Sequence, residues 1–255
     1  MDIHNSAATG FAASAATYVK GRPDYPPETL SWLCEDLKLG PDKTVLDVGA
    51  GTGKFIPFLR QTGARLLALE PVEEMRRQIT LTQGDVNVLA GTAASIPLPD
   101  GSVDAVVCAQ AFHWFATQEA LDEFKRVLTP GGMLGLIWNV RDEAVPWVAS
   151  LSALTDPLES GTPRYRSGAW QRLFPAEGFV SEGDVRVPHT HNGSPEDVIV
   201  RRTLSVSFIA AQPEAVRRQV EADVRNLIKQ TPSLVNRDEV AFPYETRMFT
   251  FRKVG

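Results

Sequence analysis

The sequence predicts an α/β fold in which a mostly parallel sheet is covered by helices on both faces. Short apolar segments alternate with helix-like segments as far as about residue 139. The apolar segments are nearly continuous, which is typical of parallel strands buried on both faces. With 255 residues and 43% hydrophobic content, the chain is large enough to enclose one sizeable core.

The elements follow one another regularly in the first half of the chain. The predicted strands are residues 44–49, 65–70, 86–91, 103–110 and 132–139. The first helix, residues 26–39, begins with two prolines, ends before Gly40 and has leucines at helical spacing. Further helices are predicted at 54–63, 72–79 and 121–128.

The regular alternation ends after residue 139. The segment 140–165 contains three prolines and predicts irregular structure. It is followed by a predicted helix near Trp170, a strand at 183–190, a helix beginning near Pro213 and a strand at 244–253.

We expect a single domain over residues 1–255, with its core at about 41–139, 166–188 and 241–255. Segments at about 1–25, 140–165 and 190–240 are predicted to cover a ligand site. An open parallel sheet binds ligands at the carboxyl ends of its strands, and a site there needs such a cover.

Composition argues against several classes of function. The net charge is −5 and the pI is about 5.5, so a general electrostatic interaction with nucleic acid is not expected. Two cysteines provide neither a disulfide framework nor a zinc cluster, and we expect no metal site. The N-terminus lacks the pattern of a secretory signal, and no apolar segment reaches the roughly 18 residues of a membrane helix. These features predict a cytoplasmic protein.

The segment VLDVGAGTGKF, residues 45–55, places three glycines directly after the first strand. A phosphate-binding P-loop would need a hydroxyl residue where Phe55 stands and a glycine where Val48 stands. A dinucleotide-binding loop would need a third glycine at the position of Lys54. Neither motif is therefore complete.

The third interpretation is a loop that lies under a nucleoside without a pyrophosphate. Gly49, Gly51 and Gly53 permit tight, partly left-handed backbone geometry and close approach. Asp47 precedes the loop and is able to hydrogen-bond within it. Glu70 ends the second strand, where its carboxylate can accept hydrogen bonds from both ribose hydroxyls. Alternatively, Glu70 caps a helix or faces water.

Four segments together resemble class I S-adenosylmethionine-dependent methyltransferases: VLDVGAGTGKF, LALEP, GTAASIPLPDGSVDAVVCAQAFHWF and RVLTPGGMLGLIWN. More narrowly, they are similar to the small-molecule branch of methyltransferase type 11, which includes trans-aconitate and ubiquinone/menaquinone methyltransferase-like proteins. The likeness covers residues 44–139, and YVKGRPDYP and PYETRMFTFRK extend it to most of the chain. It implies a Rossmann-like, doubly wound sheet of seven strands, with an antiparallel C-terminal strand inserted beside strand five.

The resemblance implies where the cofactor S-adenosylmethionine, and its product S-adenosylhomocysteine, would bind. The glycine loop would run beside the methionine part, Glu70 would hold the ribose hydroxyls, and Gln110 would approach the methionine end. Thr92 stands where many relatives have an acidic residue, so the backbone N–H of Ala93 is expected to meet the adenine ring. The cofactor-binding residues implied are Asp47, Gly49, Ala50, Gly51, Gly53, Glu70, Pro71, Thr92, Ala93, Gln110, Tyr18 and Arg22.

His113 and Trp114 lie just past the fourth strand, near the expected reaction centre. His113 is predicted to be a general base or a hydrogen-bond partner of the substrate; alternatively, it is a capping or core histidine. Trp114 is predicted to form a wall beside the sulfonium, since aromatic faces attract cations, or it packs in the core. Arg22 is able to clamp a carboxylate, and Tyr25 and Arg141 complete the predicted substrate side.

The predicted activity is transfer of a methyl group from S-adenosylmethionine to a small-molecule acceptor by in-line displacement. Nucleic-acid amino-methyltransferases carry an Asn/Asp-Pro-Pro-Tyr/Phe element after strand four, where this chain has QAFH. The alternatives are an NAD(P)-dependent oxidoreductase and a non-catalytic S-adenosylmethionine-binding protein. We expect no nucleic-acid or membrane partner, and a monomer or homodimer.

Overall fold

The computed structural model describes residues 22–255, and a seven-stranded sheet runs through them in the order β3–β2–β1–β4–β5–β7–β6. The strands are β1 (Thr44–Val48), β2 (Arg65–Leu69), β3 (Asn87–Leu89), β4 (Val103–Ala109), β5 (Leu128–Arg141), β6 (Phe179–Gly193) and β7 (Val240–Lys253). The α-helices are α1 (Glu28–Ser31), α2 (Ile56–Gln61), α3 (Glu73–Gln83), α4 (Gln118–Val127), α5 (Pro146–Thr155), α6 (Arg202–Leu204), α7 (Ser207–Ala210) and α8 (Glu214–Gln230). Helix α1 continues as a π-helical turn over Trp32–Asp36, and a second π-helical segment, Glu196–Arg201, precedes α6.

The first five strands are parallel: β1 pairs with β2 and β4, β2 with β3, and β4 with β5. Strand β7 runs antiparallel between β5 and β6. The predicted fold class is therefore confirmed, including the antiparallel C-terminal strand beside strand five. Strands β6 and β7 are both longer than the segments predicted for them.

Both faces of the sheet are covered by helices, as the continuous apolar strands indicated. In β1, Leu46 packs into a cluster that contains Phe124 of α4, whereas its neighbour Val45 packs into a second cluster that contains Trp32. Gly135 of β5 allows that second cluster to close, because a Cβ atom there would lie 2.8 Å from the indole of Trp32. The central parallel strands β1 and β4 are thus buried on both sides, and their ends are what they offer for chemistry.

The prediction of irregular structure at 140–165 is wrong in part. Helix α5 occupies Pro146–Thr155, and Pro146 stands at its first turn, where proline is compatible with a helix. Its buried residues Val148 and Leu151 join a third apolar cluster with residues of α8 and with Phe242 of β7. The sequence also failed to predict the helical segments between 196 and 210, which belong to the same cluster. We call this third cluster, with α5, α6, α7 and α8, the cover.

Candidate functional site

A cavity of about 260 Å³ opens where β1, β2 and β4 end and beside the turn that follows β3. We call it the first cavity. Because the carboxyl ends of parallel strands meet at one edge of the sheet, it brings together residues that are far apart in sequence. The predicted site residues that line it are Arg22, Tyr25, Asp47, Gly49, Ala50, Gly51, Glu70, Pro71, Thr92, Ala93, Gln110 and Trp114.

The glycines of the loop after β1 have different surroundings. Gly49 has a φ of 72°, and a Cβ atom there would lie 2.9 Å from the Cβ of Ala111. Gly51 has a φ of 59° and faces open space, so a side chain there would project without obstruction from the described residues. Gly53 does not line the cavity: a Cβ atom there would meet Ile56 and Gln83 at 3.0 and 3.2 Å. Its placement indicates loop packing and does not support the expected contact with a cofactor.

Glu70 holds the glycine loop against the end of β2. Its Oε2 accepts a hydrogen bond from the Gly51 N–H at 2.9 Å, and its Oε1 accepts one from the Val72 N–H at 2.9 Å. Glu70 is only 4% exposed, and burial raises the pKa of its carboxyl above the usual value. Each carboxylate oxygen has a further lone pair, so Glu70 can still accept hydrogen bonds from a ligand in the cavity.

Asp47 is a buried carboxylate, and neither of its oxygens has a hydrogen-bond partner within residues 22–255. The prediction that it hydrogen-bonds within the glycine loop is therefore wrong. Burial, and secondarily the charge of Glu70, raises the pKa of Asp47 to about 7. An unpartnered carboxylate in a cavity wall fits a ligand that carries a positive charge or hydrogen-bond donors.

The other strand ends also present backbone to the cavity. After β3, Thr92 and Ser95 form a tight turn through two backbone hydrogen bonds of 3.0 and 3.4 Å, and the turn carries Ala93. After β4, Gln110 has a φ of 56°, which is uncommon for a residue with a side chain. Its N–H donates to the Ile137 carbonyl of β5 at 2.8 Å, which holds it in that conformation.

The segment 22–25 is anchored beside the first cavity. The Lys54 ammonium donates a hydrogen bond to the Arg22 carbonyl and forms an ion pair with Asp24 at 3.4 Å. The Asn139 side-chain amide donates to the Asp24 carbonyl at 3.0 Å. Lys54, which stands where a dinucleotide loop needs glycine, therefore connects the glycine loop to this segment. Tyr18 lies outside the described residues.

Tyr25 packs as an aromatic residue of the first cavity. Its ring lies edge-on to Phe55, with ring centroids 4.9 Å apart, and to Phe58 at 5.6 Å. Tyr25 is 7% exposed. It does not line an adjoining cavity whose lining includes Trp114 and Arg141, the other two predicted substrate residues. Its role on the substrate side stays a prediction.

A second cavity of about 220 Å³ adjoins the first. Arg22, Gln110, Trp114, Asn139 and Arg202 line both cavities. Trp114 therefore lies at the boundary between them, next to His113, with the two ring centroids 5.2 Å apart. His113 and Arg141 line only the second cavity.

His113 is held in one tautomer. The Trp138 indole N–H donates a hydrogen bond to His113 Nδ1 at 3.1 Å, so a neutral imidazole carries its proton on Nε2. Burial, with smaller contributions from the charges of Arg164 and Arg22, lowers the pKa of His113 to about 3. At neutral pH His113 is therefore a hydrogen-bond donor through Nε2. This arrangement favours the predicted hydrogen-bond partner over the predicted general base.

Arg141 lies at the end of β5, where the cover meets the sheet. Its Nη1 donates to the Ser152 hydroxyl of α5 at 3.5 Å, the upper limit of a hydrogen bond. Burial, followed by the neighbouring charge of Arg202, lowers the pKa of Arg141 to about 10, so the guanidinium remains charged at neutral pH.

Several lining residues were not predicted from the sequence. Arg202 belongs to α6, Arg164 to the segment after α5, and Tyr244 to β7. None of them stands in a motif, and only the packing of the cover on the sheet brings them together. Asn139 is the last residue of the predicted strand 132–139, and that position was the one available signal.

Among residues 22–255, no three His, Cys, Asp or Glu side chains are grouped so that they could hold a metal ion. No helix in that same range has the length and apolar character needed to cross a membrane.

Comparison with known proteins agrees with the fold. The family profile described as methyltransferase domain matches residues 46–136. An uncharacterized methyltransferase-like protein of Schizosaccharomyces pombe is 35% identical over 244 residues, which cover 95% of each chain. An uncharacterized methyltransferase of Mycobacterium tuberculosis is 36% identical over 236 residues, 92% of each chain.

Among solved structures, one from Anaeromyxobacter dehalogenans, described as a type II methyltransferase, superposes with a TM-score of 0.63 at 21% identity. The superposition covers 91% of this chain and 97% of that one. The chain belongs to the family of class I S-adenosylmethionine-dependent methyltransferases, within the branch defined by the matching methyltransferase domain.

Proposed function

We propose that this protein transfers a methyl group from S-adenosylmethionine to a small-molecule acceptor, with the cofactor in the first cavity and the acceptor in the second. The observation that carries the proposal is that two adjoining cavities meet at Trp114 and Gln110. Two neighbouring sites with a shared wall are what a transfer between two bound molecules requires.

The first cavity has the groups that this cofactor needs. Glu70 has free lone pairs for ribose hydroxyls, and Asp47 is a buried carboxylate without a partner. Gly51 leaves open space beside the backbone, which allows a ligand to lie close to the loop. The turn at Ala93 offers backbone groups for the adenine. The residues present therefore fit S-adenosylmethionine.

When bound, S-adenosylmethionine supplies an electrophilic methyl group, and the new bond to the acceptor forms as the sulfur–methyl bond breaks to leave S-adenosylhomocysteine. The chain has to orient the acceptor and exclude water, and good orientation contributes roughly 7–11 kcal/mol to such a reaction. Trp114 forms the wall between the two sites, and the Nε2–H of His113 donates a hydrogen bond to the acceptor. His113 does not take up a proton, because Trp138 occupies its Nδ1.

Thermal unfolding with a panel of ligands tests this proposal directly. S-adenosylmethionine and S-adenosylhomocysteine at 100 times their dissociation constants are expected to stabilise the protein by about 2.7 kcal/mol. For a chain of this size that corresponds to a shift of roughly 5–10 °C. NAD(H), NADP(H) and magnesium-ATP are expected to give no shift. A shift with a dinucleotide alone would contradict the proposal and favour an oxidoreductase.

A further inference from the structure

The second cavity is strongly cationic. Among residues 22–255, the arginines that line it are Arg22, Arg141, Arg164, Arg166 and Arg202. Among the described lining residues, Glu143 is the only carboxylate. This contrasts with the net charge of −5 for the whole chain, so the excess of positive charge is local.

Two of these arginines are neutralised within the protein. Arg166 forms a bidentate ion pair with Asp156, with nitrogen–oxygen distances of 2.6 and 2.8 Å, and lies 3.5 Å from Glu143. Arg164 pairs with Glu159 at 3.6 Å. Glu143, the one carboxylate among the described lining residues, thus already lies beside Arg166, and these two arginines have structural partners.

Arg141 and Arg202 have no such partner. Within residues 22–255 neither of them forms a salt bridge, and the Arg141 contact with Ser152 is a marginal 3.5 Å. The Nε and Nη1 atoms of Arg202 are buried and have no hydrogen-bond partner in the same range. The hydroxyl of Tyr244, which lines the same cavity, is also buried without a partner there.

Unsatisfied buried donors are rare in proteins, and a bound ion is one of the recognised explanations for those that persist. A guanidinium presents planar N–H groups that match the two oxygens of a carboxylate or phosphate. Two like charges facing one cavity repel each other until an anion lies between them. The unpartnered groups therefore have the chemistry of an oxyanion site.

We propose that the acceptor carries an oxyanion, a carboxylate or a phosphate, which binds to the guanidinium groups of Arg141 and Arg202 and to the hydroxyl of Tyr244. This inference rests on the proposed function, because it assigns the second cavity to the acceptor. The same cavity is lined by Trp138 and Tyr165, so the rest of the acceptor packs against aromatic rings.

Isothermal titration with matched charged and neutral probes tests the assignment. Succinate is compared with neutral succinamide, and glycerol 3-phosphate with glycerol, with and without saturating S-adenosylhomocysteine. At least one charged probe is expected to bind about tenfold or more tightly than its neutral counterpart. The succinate and glycerol 3-phosphate titrations distinguish a carboxylate from a phosphate.

Arg141→Met is the informative variant, because Arg141 lines the second cavity but not the first. It is expected to weaken binding of the charged probe by about tenfold or more, while affinity for S-adenosylhomocysteine stays within about threefold. Arg218→Met is the matched control, since Arg218 lies on the surface of α8 in an ion pair with Glu214. Arg218→Met is expected to change neither the affinity for the charged probe nor the affinity for S-adenosylhomocysteine.

The outcomes separate this inference from the proposed function. If the wild-type protein fails to bind S-adenosylhomocysteine, the proposed function is wrong and this inference falls with it. If S-adenosylhomocysteine binds but no charged probe is preferred over its neutral counterpart, the oxyanion site is wrong and the proposed function stands. Unchanged probe affinity in a folded Arg141→Met protein would also overturn the oxyanion site.

Discussion

The two cavities differ in how the chain builds them and in the charge that they present. The first is formed by turns that directly follow strands, and its buried charged groups include the carboxylates of Asp47 and Glu70. The second is formed where the cover meets the sheet, and arginines dominate its lining. The difference teaches that the first cavity is a property of the sheet, whereas the second is a property of the cover.

Replacing Glu70 with alanine is expected to have the largest effect on the first cavity. The N–H groups of Gly51 and Val72 would lose their acceptor. The ribose hydroxyls of a cofactor bound as proposed would lose theirs as well. We expect affinity for S-adenosylhomocysteine to fall about 100-fold or more and stability to fall by about 2–3 kcal/mol. Titration calorimetry and denaturant unfolding measure the two effects.

The matched control for Glu70→Ala is Glu73→Ala. Glu73 lies on the exposed surface of α3 in an ion pair with Arg77. Its replacement should change neither the affinity for S-adenosylhomocysteine nor the stability appreciably. Unchanged affinity for S-adenosylhomocysteine in a folded Glu70→Ala protein would contradict the assignment of the first cavity to the cofactor.

Alanine at Gly49 and at Gly51 separates folding from binding within one loop. Both positions have a positive φ, which costs roughly 1–2 kcal/mol for a residue with a side chain. At Gly49 the new Cβ would also clash with Ala111, so we expect a total loss of stability of about 3 kcal/mol.

At Gly51 the new Cβ has space in the protein itself, so we expect only the cost of the positive φ. The affinity for S-adenosylhomocysteine should nevertheless fall by about 30-fold, because the methyl group occupies space meant for the ligand. Thermal unfolding with and without the ligand compares the two variants. If both variants lost the same stability and the same affinity for S-adenosylhomocysteine, the distinct roles of Gly49 in folding and Gly51 in binding would be contradicted.

Asp47→Asn is expected to increase stability and decrease cofactor affinity. Because folding raises the pKa of Asp47 to about 7, the folded state binds more protons than the unfolded state between the two pKa values. The buried charge therefore reduces stability progressively as the pH rises from about 4 to about 7. The variant lacks this loss and should be about 2–4 kcal/mol more stable than the wild type at about pH 8.

The two proteins should converge in stability as the pH falls below about 4, where the wild-type carboxyl becomes protonated in both states. We also expect affinity for S-adenosylhomocysteine to fall about tenfold in the variant. Urea unfolding across the pH range and calorimetry at neutral pH measure these effects. A variant that is less stable at high pH would show that Asp47 has a favourable partner in the protein.

His113→Gln should have the smallest effect, and it concerns the second cavity. Folding lowers the pKa of His113 to about 3. As the pH falls below about 6.5, the imidazole therefore becomes protonated in the unfolded state but stays neutral in the folded state. Its contribution to stability is thus present above that pH and is lost on acidification. Between about pH 7.5 and pH 5.5, the wild type should lose about 1 kcal/mol more than the variant.

Urea unfolding at the two pH values measures that difference, and His189 and His191 contribute equally to both proteins. Affinity for S-adenosylhomocysteine should be unchanged in His113→Gln, since His113 does not line the first cavity. An equal loss of stability in both proteins would show that His113 is protonated on acidification in the folded state as well.

The first cavity was largely predictable because local sequence builds it. Apolar strands end at fixed points. Glu70 and Gln110 directly follow the ends of β2 and β4, and Thr92 lies in the turn shortly after β3. The sequence did not reveal that Gly53 packs against helices, because this depends on where α3 lies. It also did not reveal that Asp47 lacks a partner, since hydrogen bonding at a buried position depends on the neighbouring strands.

By itself, the sequence determined the sheet, the glycine loop and the family, because each of these follows from short-range patterns of apolar residues, glycines and strand ends. Only the tertiary structure decided the chemistry of the second cavity. Arg141, Arg202 and Tyr244 come from three elements that are distant in sequence, and the tautomer of His113 depends on Trp138 of a neighbouring strand. Charges that act together across such distances leave no periodic pattern in the chain, so their combined effect becomes visible only when the cover packs on the sheet.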